Sequence, residues 1–200
     1  SPTPAGRLFD SGQLLGEDDT EGVALGDFDS DGDLDAVTVG IDLNLDDPGD
    51  DPNRIWINQG NSQGGTPGIF VDSGQRLGNA AGRGVATGDV DGDGDIDIAI
   101  THAGPDVIWI NQGGVQGGTP GTFAASGQVF PDRASGRIQL MDAGDDGDLD
   151  AFVVQMNGTA LLYRNQGGGQ GGSPGTFSIE ESFFSPADSR RDIEDLQAVD

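Results

Sequence analysis

Cysteine is absent from the 200 residues, so disulfides and thiolate metal sites are both excluded. Histidine occurs once, at His102, and with no second histidine or cysteine beside it a zinc site has no ligand set. Positive charge is scarce: 9 basic residues stand against 35 acidic ones, a net charge of −26. Phosphate binding needs clustered Lys and Arg, so nucleic acid and anionic membranes are excluded as partners, whereas multivalent cations are attracted. No apolar run approaches the ~20 residues of a membrane span, which argues against membrane insertion. Ser1 opens a polar, proline-containing start without a signal-peptide pattern, so any targeting segment is expected to be missing or removed. Hydrophobic residues make up 34% and glycine contributes 36 positions, low enough to raise disorder as an alternative to a packed core. The apolar residues are clustered, however, in strand-like runs such as "AVTV", "IWI", "IAI" and "AFVV".

What is present is a repeat. "GVALGDFDSDGDLDAVTVG" (22–40) returns as "GVATGDVDGDGDIDIAITH" (84–102) and, degraded, as "RIQLMDAGDDGDLDAFVVQ" (137–155). Each copy is followed by an aromatic strand and a glycine-rich loop: "RIWINQGNSQGGTPGIF", "VIWINQGGVQGGTPGTF" and "LLYRNQGGGQGGSPGTF". An "SGQ" segment recurs beyond the first two of these, and the acidic insert "DLNLDDPGDDPN" (42–53) lengthens the first unit. "GRLFDSGQLLG" (6–16) matches the last strand of a preceding unit, and "LQAVD" (196–200) matches the start of a following one. Alternating and short apolar runs bounded by Gly, Asn and Asp predict four short strands per unit: before the acidic loop, after it, through the aromatic, and from Phe70, Phe123 or Phe177. Four strands in a repeat of about 50–60 residues is the pattern of a β-propeller blade.

The acidic loops carry the chemistry. Numbered from the first aspartate, the first loop has Asp27, Asp29, Asp31, Asp33 and Asp35 at positions 1, 3, 5, 7 and 9, and the second has Asp89, Asp91, Asp93, Asp95 and Asp97. Position 6 is glycine throughout: Gly32, Gly94 and Gly147. Like charges ~4 Å apart repel by about 4 kcal/mol per pair at an effective dielectric of 20, so the cluster calls for a cation unless it is merely a solvated acidic run. A hard cation such as Ca²⁺ takes oxygen ligands, which a loop turning at glycine brings inward. An EF-hand needs glutamate at position 12, where this chain has Thr38, Ile100 and Val153, each inside an expected strand. Dockerin-like loops fail at the same position, thrombospondin-type calcium repeats need the missing cysteines, and RTX nonapeptides run in tandem as these do not.

Nearly the whole chain resembles the FG-GAP/VCBS repeat family, the blades of propellers like that of the integrin alpha subunit, in which a D-x-D-x-D-G-x-x-D loop binds Ca²⁺. The resemblance implies side-chain ligands Asp27, Asp29, Asp31 and Asp35 with the carbonyl of Asp33, and Asp89, Asp91, Asp93 and Asp97 with the carbonyl of Asp95. The third loop departs at position 3, which is Gly144; Asp142, Asp146 and Asp150 remain, with Asp148 at position 7, and one ligand must be water or Asp145. Two strong calcium sites and a weaker or empty third are expected.

The expected fold is all-β: a propeller of four-stranded blades, with about three full blades and partial blades at both ends, a fragment of a seven-bladed parent. Residues 1–20 would end a preceding blade, 21–83, 84–135 and 136–194 would be blades bearing the first, second and degenerate third loops, and 195–200 would open a further blade. The recurring Trp56, Trp109 and Tyr163 are expected to pack between blades rather than to stack on sugars. The glycine-rich loops, without Lys, Arg or a P-loop ending, are expected as interblade or surface loops rather than anion nests, and "DSRRDIED" (188–195) as a solvated connection. The leading function is a non-enzymatic, calcium-binding extracellular or cell-surface scaffold for adhesion or recognition, its protein or glycan ligand unread, with the parent chain's remaining blades as further partners. Alternatives are an accessory propeller domain of a secreted polysaccharide-degrading enzyme and a propeller lectin.

Overall fold

The computed structural model describes residues 10–16, 19–41, 53–131 and 134–184. Residues 42–52 of the acidic insert and the segment 185–200, with its expected solvated connection and opening strand, lie outside the described residues. Twelve strands form three four-stranded antiparallel sheets, each a meander in chain order. The first holds β1 (Asp19–Gly26), β2 (Asp35–Ile41), β3 (Arg54–Asn58) and β4 (Phe70–Arg76). The second holds β5 (Gly82–Gly88), β6 (Asp97–His102), β7 (Val107–Asn111) and β8 (Phe123–Ala125). The third holds β9 (Ser135–Met141), β10 (Asp150–Gln155), β11 (Ala160–Asn165) and β12 (Phe177–Phe184). Among the described residues no helix is long and apolar enough to cross a membrane.

The sheets stack side on, with β1 against β5 and β5 against β9, and two apolar layers fill the gaps between them. Val37 and Val39 of β2 meet Ile98 and Ile100 of β6, joined by Phe28, Ile55, Leu77 and Phe123. Ala99, on the opposite face of β6, belongs to the second layer with Ala151, Val153, Leu161 and Tyr163. Successive residues of a strand face opposite sides, so β6 is covered on both faces and all of it is buried. This is why "IAI" reads as an unbroken apolar run. Each fully buried Val, Ile or Leu contributes roughly 1.5–3 kcal/mol.

Of the recurring aromatics, Tyr163 and Trp109 pack between sheets, whereas Trp56 is buried within its own. Trp56 is buried with its indole N–H on Thr38 Oγ1 at 2.9 Å, and Trp109 packs against the first layer. Tyr163 stacks on Phe130 at 4.9 Å and donates its hydroxyl to Asp106 Oδ2 at 2.9 Å. The same carboxylate accepts from Ser135 Oγ at 2.7 Å and, through Oδ1, from the His102 amide, so the single histidine sits inside a buried polar knot between the second and third sheets.

Residues 10–16 carry no strand, in contrast to the expected last strand of a preceding unit. They dock instead through Gln13, whose amide bridges the Gly68 carbonyl and the Phe70 N–H at 2.7 and 2.8 Å. The other "SGQ" glutamines act identically across sheets: Gln75 grips Gly121 O and Phe123 N–H, and Gln128 grips Gly175 O and Phe177 N–H, at 2.5–2.9 Å. A side-chain amide carries one donor and one acceptor side, as a peptide does, so each glutamine extends the backbone pairing of the next sheet's outermost strand.

Candidate metal centres

Each acidic loop joins the first two strands of its sheet and is closed at its base by a register pair: Gly26 with Asp35, Gly88 with Asp97, Met141 with Asp150. The position 1 carboxylate folds the loop over itself. Asp27 accepts the N–H groups of Asp31 and Gly32 at 3.0 Å. Asp89 accepts those of Gly92, Asp93 and Gly94, and Asp142 those of Gly144, Asp146 and Gly147. Asp31, Asp93 and Asp146 at position 5 each accept the position 7 amide at 2.8–3.1 Å. The glycine at position 6 has φ of 90–98° in all three loops, a region that costs a side chain dearly.

Position 9 is a brace. Asp35 accepts Phe28 N–H and Asn58 N–H, Asp97 accepts Val90 N–H and Asn111 N–H, and Asp150 accepts Ala143 N–H and Asn165 N–H, at 2.7–3.2 Å. These carboxylates tie the loop to the third strand. Burial outweighs the two amide bonds and pushes Asp35 up to about 6 and Asp97 up to about 7.

Positions 1, 3 and 5 face the loop interior in the first sheet. Asp27, Asp29 and Asp31 each offer one carboxylate oxygen, all within 4.8 Å of one another; in the second loop Asp89, Asp91 and Asp97 do the same. Asp29 Oδ1, Asp91 Oδ1 and Asp93 Oδ2 are buried without a hydrogen-bond partner. Burial, then the neighbouring carboxylates, raises Asp29 and Asp91 above the usual carboxylate range. The Asp33 amide, by contrast, holds Asp31 below it. Buried, unpartnered, like-charged oxygens without a nitrogen or sulfur donor are a donor set that fits a hard cation rather than zinc. The position 7 side chains point elsewhere: Asp33 lies against Gly60, Asp95 against Gly113 and Gly114, and Asp148 against Gly167 and Gly168, where any Cβ would collide with the carboxylate.

The third loop is built differently. Among the described residues it gathers no comparable trio of oxygens. Arg164 of β11 extends its guanidinium to the buried Asp150 at 3.5 Å and to Glu180 at 3.0 Å. A Cβ on Gly144 would stand 3.0 Å from Arg164 Nη1. A fixed cation thus occupies the side of the loop that lost its position 3 carboxylate. The equivalent residues in the other sheets are Ile57 and Ile110.

Other contributors were not singled out by the sequence reading. A 3₁₀ turn in each glycine-rich loop (Asn61–Gln63, Gly114–Gln116, Gly168–Gln170) lays a glutamine amide on the acidic loop of its own sheet. Gln63 donates to Asp29 and Gln116 to Asp91, whereas Gln170, facing no position 3 carboxylate, donates to Asp146. Asn111 donates Nδ2 to the Phe28 carbonyl of the preceding sheet's loop at 2.8 Å, and Asn165 donates to the Val90 carbonyl at 2.7 Å. The signal available in sequence was recurrence alone: Asn and Gln at fixed places in every "NQG…QGG". A scan against models of known protein families finds no match to this chain, and neither does a search of curated proteins.

Proposed function

We propose that this chain is a calcium-binding β-propeller scaffold of the FG-GAP/VCBS type, serving extracellular adhesion or recognition rather than catalysis. The observation that carries the reading is the pair of oxygen trios, Asp27/Asp29/Asp31 and Asp89/Asp91/Asp97, in equivalent loops with buried oxygens that lack any partner. In this reading the three sheets are blades, and the side-by-side packing of β1, β5 and β9 supports a radial array. Calcium at the millimolar level outside cells suits loops of this exposure, since extracellular calcium modules work at about 10⁻⁴–10⁻³ M. The withdrawn positions of Trp56, Trp109 and Tyr163 favour a scaffold over a sugar-stacking lectin.

Calorimetric titration of the chelator-stripped chain tests the proposal. Two calcium ions are expected per chain, and Asp29→Ala and Asp91→Ala should each remove one. Equal affinity for Mg²⁺, or a stoichiometry that neither substitution changes, would count against it.

A further inference from the structure

We propose that a cavity at the N-terminal ends of β1, β5 and β9 binds a small organic carboxylate with an apolar body. The cavity is a solvent-open cleft of about 550 Å³, within the range of small-molecule sites, and lies at the opposite ends of these strands from the acidic loops. Its charged lining is Arg83 on β5, Arg137 on β9 and Glu21 on β1; Val23, Phe152 and Val154 supply apolar wall.

Charge pairing singles out the two arginines. The chain has 9 basic residues, all arginine, for 35 acidic ones, so a guanidinium does not lack partners by composition. Arg54 and Arg76 pair with Asp72, and Arg164 pairs with Asp150 and Glu180. Among the described residues, Arg83 and Arg137 alone of the arginines form no ion pair, and both line this cavity. Arg83 Nε is buried with no hydrogen-bond partner, and its Nη1 reaches only the Met156 sulfur at 4.0 Å, a weak acceptor. A buried guanidinium N–H left unmatched is costly, and an incoming oxyanion removes that cost.

The rest of the wall narrows the class. Two cations against the single Glu21 leave room for one negative charge, which suits a carboxylate better than a phosphate dianion. Val23 is 62% exposed and Val154 38% exposed, so apolar surface beside the arginines remains to be covered by the body of the ligand. Arginine's planar fork matches a carboxylate in bidentate fashion.

The test uses 4-phenylbutyrate, its neutral amide and sulfate, titrated into the chain in saturating calcium and again in chelator, with circular dichroism checking the fold. The chelator arm separates this site from the acidic loops, so failure here and failure of the calcium reading are distinguishable. Saturable one-to-one binding of phenylbutyrate is expected, roughly tenfold weaker for the amide and for each of Arg83→Gln and Arg137→Gln. Arg76→Gln, remote and paired with Asp72, should change nothing. Equal binding of acid and amide, affinity unchanged in Arg83→Gln and Arg137→Gln, or sulfate binding as tightly as phenylbutyrate would overturn the proposal.

Discussion

At the third loop the positive charge is covalent. Gly144 removes the position 3 carboxylate, and Arg164 places a guanidinium on Asp150, so the repulsion among the remaining aspartates is relieved without an ion. Restoring the pattern of the other sheets should convert the loop. Gly144→Asp combined with Arg164→Ile is expected to add a third calcium site in calorimetric titration, whereas Gly144→Asp alone should not. The position 3 backbone has no positive φ, so aspartate is tolerated there, and the nearest atoms, Asp146 Oδ2 and Arg164 Nη1, are side-chain ends that can move. Arg164→Ile alone leaves Asp150 without its cation but with both amide donors, a loss of about 1 kcal/mol for a pair partly open to solvent. Sequence showed half of this exchange. The missing aspartate was visible against two complete loops; the compensating arginine lies 20 residues away on another strand and meets the loop only when β10 and β11 pair.

Strands and loops divide the labour differently. The bounds of β3 and β7 were readable to the residue, because "RIWIN" and "VIWIN" are apolar runs closed by an asparagine, the last paired residue before the glycine loop. The "SGQ" glutamines recur as plainly, yet recurrence marks a constraint without naming its partner, and Gln75 finds Gly121 46 positions later. Each clasp holds the edge of the neighbouring sheet, and β8, at three residues, adds it to a short ladder with β7 and to the burial of Phe123. Gln75→Ala strands the Gly121 carbonyl and the Phe123 amide together; a cost of about 1–3 kcal/mol is expected. Denaturant melts would register that cost, and faster hydrogen exchange at Phe123 than at Ile98 or Ile100 would localise it. Exchange unchanged at Phe123 would show that the clasp is dispensable.

Over the whole molecule, protons and the proposed calcium ions would compete for the same carboxylates. Asp35 at about 6 and Asp97 at about 7 favour the protonated form in the folded chain against an ordinary value of 3.8, and Asp29, Asp91 and Asp106 shift the same way. Between about pH 4 and 7 the cation-free folded state therefore holds more protons than the unfolded one at these groups, and their stabilisation is lost as pH rises. His102, held low by burial, works in the opposite direction but is one group against several. Melting in chelator should thus be higher at pH 5 than at pH 7, and saturating calcium should reverse the order, since the bound ion requires ionised ligands. A chelated chain that melts higher at pH 7 would refute this. The ties between sheets also impose an order in time. The Phe28 carbonyl waits for Asn111, 83 positions on, and the Val90 carbonyl waits for Asn165, 75 positions on. A ribosome adding about 5–20 residues per second needs on the order of 4–17 s to cover the longer gap. The first two acidic loops therefore emerge unfinished and are closed by the repeat made after them, so the ion capture proposed for them would trail synthesis by one sheet.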